Sequence, residues 1–145
     1  MSVAEVFSAS PDIHYIAPEE RPTVLIAEDA DKLRDALIEQ LHRFNISPRV
    51  AKRGYEVLKL VEQFRPEVLL LDGLLPDMHG FEIARFVRHL DSAYRPRIAI
   101  VTAIYKHIRY QNEARLKYGI DDYLVKPVDD VSLSTVLRSA KRASQ

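Results

Sequence analysis

From Thr23 onward, apolar positions alternate between two rhythms. Thr23 to Ala27 is a continuous apolar run, the pattern of a strand buried on both faces. Asp31 to Phe44 then carries Leu33, Leu37, Leu41 and Phe44 at helical spacing. The alternation repeats to the end. Strands are predicted at Ser47 to Ala51, Val68 to Asp72, Ile98 to Val101 and Asp122 to Val125. Helices are predicted at Tyr55 to Phe64, with Val57, Leu60, Val61 and Phe64 on one face, and at Phe81 to Leu90, with Ile83, Phe86, Val87 and Leu90 inward. A more polar helix over Tyr105 to Tyr118 is ended by Gly119, and a last one over Val131 to Lys141 carries Leu133, Val136, Leu137 and Ala140 on one side.

Five strands alternating with five helices predict an α/β fold. Most strands lack polar alternation, so both faces of the sheet need covering and the strands should run parallel. Right-handed crossovers then favour a doubly wound five-stranded parallel sheet with helices on both faces, for which the flavodoxin-like order 2-1-3-4-5 is the commonest solution.

Met1 to Pro22 breaks this rhythm. It holds Pro11, Pro18 and Pro22 and a charged cluster at Glu19, Glu20 and Arg21, and is expected to be an N-terminal extension (1–22). Its apolar Val3, Val6, Phe7, Ile13, Tyr15 and Ile16 leave docking on a surface open. A domain over 23–141 and a short tail over 142–145 complete the division. Within this sequence no effector domain follows Lys141, which suits either a stand-alone domain or one excised from a longer protein.

Composition narrows the function. With 145 residues the chain suits one domain with one sizeable core. Lys plus Arg and Asp plus Glu both count 21, so no global basic field points to nucleic acid. There is no cysteine, which excludes disulfides, thiolate catalysis and cysteine metal sites. No apolar run is long enough to span a bilayer. Early Glu5 and the lack of a basic start argue against a secretory signal, so the cytoplasm is the expected compartment. The five histidines show no ligand spacing and are expected at the surface. Lys106, His107, Arg109, Arg115 and Lys117 make a basic run around the fourth predicted helix, by default a solvated face.

In such a sheet, ligands bind outside the carboxyl ends of the strands. The first strand ends in Glu28 and Asp29, the third in Asp72, the fourth in Thr102, and the fifth runs into Lys126 and Pro127. Three carboxylates, a hydroxyl and an ammonium thus converge on one edge. The acids suit a hard divalent cation such as Mg²⁺. A carboxylate can also attack phosphorus to give an acyl phosphate. An ammonium and a metal would neutralise the moving phosphoryl group. Singly, each residue has a plainer use: Glu28 and Asp29 near a helix start, Thr102 as a β-favouring residue, Lys126 as a surface charge, Tyr123 as core.

Four segments taken in order carry more. Val24-Leu25-Ile26-Ala27-Glu28-Asp29, Leu70-Leu71-Asp72-Gly73-Leu74-Leu75-Pro76-Asp77-Met78-His79-Gly80, Val101-Thr102-Ala103 and Asp122-Tyr123-Leu124-Val125-Lys126-Pro127 resemble the receiver domains of bacterial response regulators, over about Thr23 to Ala140. The resemblance implies phosphorylation on Asp72 and Mg²⁺ held by Glu28, Asp29, Asp72 and the backbone carbonyl of Leu74. It implies Lys126 as phosphate contact, Thr102 as switch residue, Tyr123 as the aromatic residue that reorients, and a cis Lys126-Pro127 bond. It further implies a sensor histidine kinase or histidine phosphotransfer protein as donor. Output would pass to a protein partner or a second copy through the face of the fourth helix, fifth strand and fifth helix, without direct nucleic-acid or membrane binding. Glu28 stands where Asp is commoner, His79 where Asp or Asn often precedes the glycine, and the stretch from Ala103 to Tyr118 is slightly longer than usual. The resemblance also implies that Leu74 and Ile104 border the approach of a hydrolytic water; both are apolar, so slow self-dephosphorylation is expected, and small Ala103 leaves room for a donor.

Two other functions compete. A haloacid-dehalogenase-type phosphatase is suggested by Asp72-Gly73-Leu74, but that class needs a second acid where Leu74 stands and a nucleophile after the first strand. A receiver-like scaffold without phosphotransfer is the other, although acceptor, lysine and acid pair are all present.

Overall fold

The computed structural model describes residues 12–103 and 118–143. Five parallel strands form one sheet in the order β2-β1-β3-β4-β5. They are β1 (Val24–Ala27), β2 (Arg49–Ala51), β3 (Val68–Asp72), β4 (Arg97–Thr102) and β5 (Asp122–Val125). Among the described residues the α-helices are α1 (Asp31–Arg43), α2 (Gly54–Phe64), α3 (Gly80–Leu90) and the C-terminal α4 (Asp130–Ala143). The fourth helix predicted from sequence, Tyr105 to Tyr118, lies outside the described residues except at its end. Ile104 and the basic run from Lys106 to Lys117 lie outside them as well.

Strand side chains alternate between faces, so the sheet has two cores. Val24, Ile26, Val68, Leu70, Ala99 and Val101 point to one face and pack with Leu37 and Leu41 of α1 and Leu133, Val136 and Leu137 of α4. Leu25, Ala27, Leu69, Leu71, Ile98 and Ile100 point to the other and pack with Val57 and Val61 of α2 and Ile83, Ala84 and Val87 of α3. Burial on both faces explains the continuous apolar runs in β1 and β3.

Three helical positions expected to face inward are exposed instead: Leu33, Phe64 and Phe86. Leu33 sits in the first turn of α1, before the helix meets the core, and Phe64 ends α2 where the Arg49 guanidinium stacks 3.2 Å from its ring centre. In α3, Ile83 and Val87 fill the sheet-facing stripe, which leaves Phe86 beyond its edge.

The end of the N-terminal segment docks on the first core. Ile16 is buried among its residues. Arg138 donates to the carbonyls of Ile13 (2.9 Å) and Tyr15 (2.8 Å). His14 is half-buried rather than a plain surface residue: Nε2 lies 2.9 Å from the Asp130 carboxylate and its ring 5.0 Å from that of Phe44. Gln40 and Arg43 of α1 donate to the same carboxylate, each at 3.1 Å. One acid at the start of α4 thus ties together three segments distant in sequence.

Candidate active site at the carboxyl edge of the sheet

The register of the sheet sets out the site. Asp72 ends the central strand β3 opposite Val101 of β4, and Thr102 pairs with Val125 of β5 one step from Lys126. Glu28 follows β1 directly, its N–H donating to the Ala51 carbonyl of β2 at 3.0 Å. The chain leaves the fifth strand through a cis Lys126-Pro127 bond.

Glu28, Asp72 and Lys126 meet here. The Lys126 ammonium donates to Glu28 Oε1 at 2.5 Å and stands 3.7 Å from Asp72 Oδ1. Glu28 is only 4% exposed. Its other oxygen accepts from the Ala30 N–H at 3.2 Å, and Asp72 Oδ1 accepts from the Leu74 N–H at 3.1 Å. Asp29, by contrast, is exposed at the rim.

The two acids divide electrostatically. Burial pushes the Asp72 carboxyl up to about 6, and the adjacent Glu28 carboxylate adds to this against the pull of the Leu74 N–H and Lys126. Burial raises Glu28 as well, but hydrogen bonds from Lys126, Asp72 and Ala30 overcome it and hold that group below its ordinary range. Negative charge is therefore in excess at the acceptor position, with one ammonium facing two carboxylates and Asp29 next in the chain.

Among the described residues no three acids or histidines stand as a ready-made metal cage. The donor chemistry still fits Mg²⁺, which takes one or two carboxylates and keeps several waters. Glu28 and Asp72 would supply that pair, with Asp29 at the rim, and the cation would relieve their crowding.

The loop after Asp72 is braced by contacts that the sequence pattern does not reveal. Asp77 caps α2 by accepting from the N–H groups of Gly54 (2.8 Å) and Tyr55 (3.2 Å). Leu74 and His79 bridge the loop's two sides, and Gly80 N–H donates to the Gly73 carbonyl at 3.0 Å. A Cβ on Gly80 would lie 2.8 Å from the Asp72 carbonyl oxygen, so this close approach needs glycine. Arg34, in the first turn of α1, reaches back to the carbonyls of Glu28 and Asp29, both at 3.4 Å. Its spacing from the acid pair was the one available clue, whereas Asp77 and its partners are over twenty residues apart.

Beside the site, Tyr123 packs against the second core, with its ring 6.4 Å from Phe81, which lies 5.6 Å from Tyr118. The Tyr123 hydroxyl is shut off from solvent. The backbone between Thr102 and Lys126 is closed by the Lys126 N–H donating to the Thr102 carbonyl at 2.8 Å.

Known proteins share this architecture. The family model described as the response regulator receiver domain matches residues 24–138. The chain is 34% identical over 127 residues to the transcriptional regulatory protein AfsQ1 of Streptomyces coelicolor, covering 85% of this chain and 54% of that protein. It is 33% identical over 127 residues to the transcriptional regulatory protein BaeR of Escherichia coli, covering 85% and 51%. The chain thus spans about half the length of these curated relatives. Among solved structures, the receiver domain of the Francisella response regulator 1452 aligns with a TM-score of 0.75 at 25% identity, covering 86% of this chain and 99% of that one. No described helix is long and apolar enough to cross a membrane. With a family match across five strands and the acid–lysine edge, this chain belongs to the response regulator receiver domains of two-component signalling.

Proposed function

We propose that this domain is a phosphorylation-dependent switch that takes a phosphoryl group onto Asp72 from a sensor histidine kinase or a histidine phosphotransfer protein. The observation that carries the reading is the Lys126 ammonium, held between Glu28 and Asp72 at the carboxyl end of the central strand. An Asp72 oxygen attacks the phosphorus of the donor's phosphohistidine. The new O–P bond forms as the P–N bond breaks, and its electron pair stays on the imidazole nitrogen. Glu28, Asp29, Asp72 and the Leu74 carbonyl would hold Mg²⁺, which neutralises charge on the transferring group. Lys126 contacts a phosphate oxygen, and the Thr102 hydroxyl hydrogen-bonds another. Exposed Leu74 offers the hydrolytic water no hydrogen bond, and Ile104, which the family resemblance assigns to the same approach, is apolar as well, so the phosphorylated state is long-lived.

Phosphorylation adds about −1.5 to −2 charge. Drawing Thr102 toward it frees space that Tyr123 enters. Signal output then passes through the face of the predicted fourth helix, β5 and the C-terminal helix to a protein partner or a second copy, in the cytoplasm and without direct DNA contact. Amide spectra recorded with and without beryllofluoride and Mg²⁺ test the switch. Shifts should spread from Asp72 to Tyr118–Val125, and shifts confined to Asp72 and its loop would overturn it.

A further inference from the structure

A second concave site lies at the opposite edge of the sheet, where β4 and β5 begin. A cavity of about 460 Å³ opens there between the end of α3 and the segments entering those two strands. Its walls are strongly basic. Arg88 is a structural strut, donating to the carbonyls of Gly119 (2.9 Å) and Pro96 (2.8 Å) and to Asp121 (2.8 Å). Arg97 is likewise taken up by Asp122, at 2.8 Å and 3.1 Å. Asp121, which lines the cavity, and neighbouring Asp122 are thereby occupied.

Two guanidiniums remain. Arg85 and Arg95 line the cavity, are exposed, and make no ion pair among the described residues. Glu82, one turn before Arg85, makes none with it. Burial disfavours the charged form of Arg88, its ion pair with Asp121 works against this, and the nearby Arg95 charge adds a smaller push in the direction of burial. Arg85 and Arg95 are thus two guanidiniums without an ion pair among the described residues, with exposed Glu82 one turn from Arg85, and their planar forks match phosphate oxygens in pairs. The volume falls in the range of small-molecule pockets, and Tyr118 adds an aromatic wall.

We propose that this cavity binds a small phosphate-bearing anion of nucleotide size, with Arg85 and Arg95 as its phosphate contacts. The site is separate from Asp72 and does not depend on phosphotransfer there. Calorimetric titration of the whole chain with ATP, and separately with inorganic pyrophosphate, tests it in metal-free buffer so that the Asp72 edge cannot take part through a cation. ATP should bind saturably, and an Arg85→Glu/Arg95→Glu variant should bind it at least about tenfold more weakly. Asp72→Asn should bind it as wild type does. Both arginines are exposed, so the double variant should keep its fold by circular dichroism and its acetyl phosphate labelling at Asp72. Pyrophosphate binding alongside ATP places the recognition in the phosphates; ATP alone adds the nucleoside to it. Absence of saturable ATP binding, equal ATP affinity in the double variant, or its loss in Asp72→Asn would each overturn the proposal.

Discussion

Lys126 is bound more closely to Glu28 than to Asp72, at 2.5 Å against 3.7 Å. The ammonium therefore partners the acid beside the acceptor, and Asp72 is left crowded by Glu28 with less compensation. Replacing Asp72 with Asn removes that repulsion and keeps the side chain's shape. The variant should be more stable than wild type in metal-free buffer, by about 1 kcal/mol, as happens where a functional charge is held at a cost in stability. Mg²⁺ should raise the wild-type melting temperature and move that of Asp72→Asn much less, since only a ligand bound to the native state stabilises it. Thermal denaturation of both proteins with EDTA and with Mg²⁺ measures the two effects.

Leu74 is 68% exposed beside the acceptor, with its backbone N–H fixed on Asp72 Oδ1. An apolar side chain there cannot hydrogen-bond a water approaching the phosphorus. Leu74→Asn should speed loss of the phosphoryl group on the order of tenfold by restoring a positioning group. The decay of phosphorylated protein in Mg²⁺ buffer checks it.

Asp130 joins His14, Gln40 and Arg43 into one cluster. The His14 hydrogen bond above all, with those from Gln40 and Arg43, lowers its carboxyl from 3.8 to about 2. A carboxyl depressed on folding contributes stability above its unfolded value and loses it as pH falls through its folded value. Asp130→Ala should thus cost about 1–2 kcal/mol near neutrality, allowing for partial solvent exposure. The gap between variant and wild type should close as pH drops from about 4 toward 2, read by urea denaturation along the series.

Gly119 has φ +70°, and a Cβ there would lie 2.8 Å from Arg88 Cγ. Gly119→Ala should destabilise by about 1–3 kcal/mol, because strain in the left-handed region adds to displacement of the Arg88 strut. At Gly73 the nearest atom to an added methyl would be Ile100 Cγ2 at 3.5 Å, so Gly73→Ala should be much milder. Chemical denaturation of the pair separates strain from simple loss of glycine.

The sheet was legible because burial on both faces leaves a plain mark, four apolar residues in a row, as in Val24–Ala27 and in β3 ahead of Asp72. Parallel pairing and right-handed crossovers pointed to a doubly wound sheet, and the observed order is the commonest five-stranded arrangement of that kind. Helix faces were legible only where they meet the sheet: Ile83 and Val87 are buried, whereas Phe86, on a neighbouring stripe, is not. Ser47 and Pro48 precede β2 rather than join it, since apolar character alone does not mark where pairing begins. At the site, strand ends brought Glu28, Asp72 and Lys126 to one edge in the reading of the sequence, and they meet in the structure. Pairings between distant loops were not legible. Asp77 capping α2, Asp130 gathering His14, and Arg88 bridging two strand entries each depend on three-dimensional closure that no local pattern records.

Covalent labelling tests the central claim most directly. Incubation with acetyl phosphate and Mg²⁺, followed by intact-mass measurement, should show one added phosphoryl group on the wild-type chain. The adduct should be released by hydroxylamine, as an acyl phosphate is, and be absent with EDTA and from Asp72→Asn. Equal labelling of Asp72→Asn, or a wild-type chain that takes up neither a phosphoryl group nor beryllofluoride, would contradict the assignment of Asp72 as acceptor.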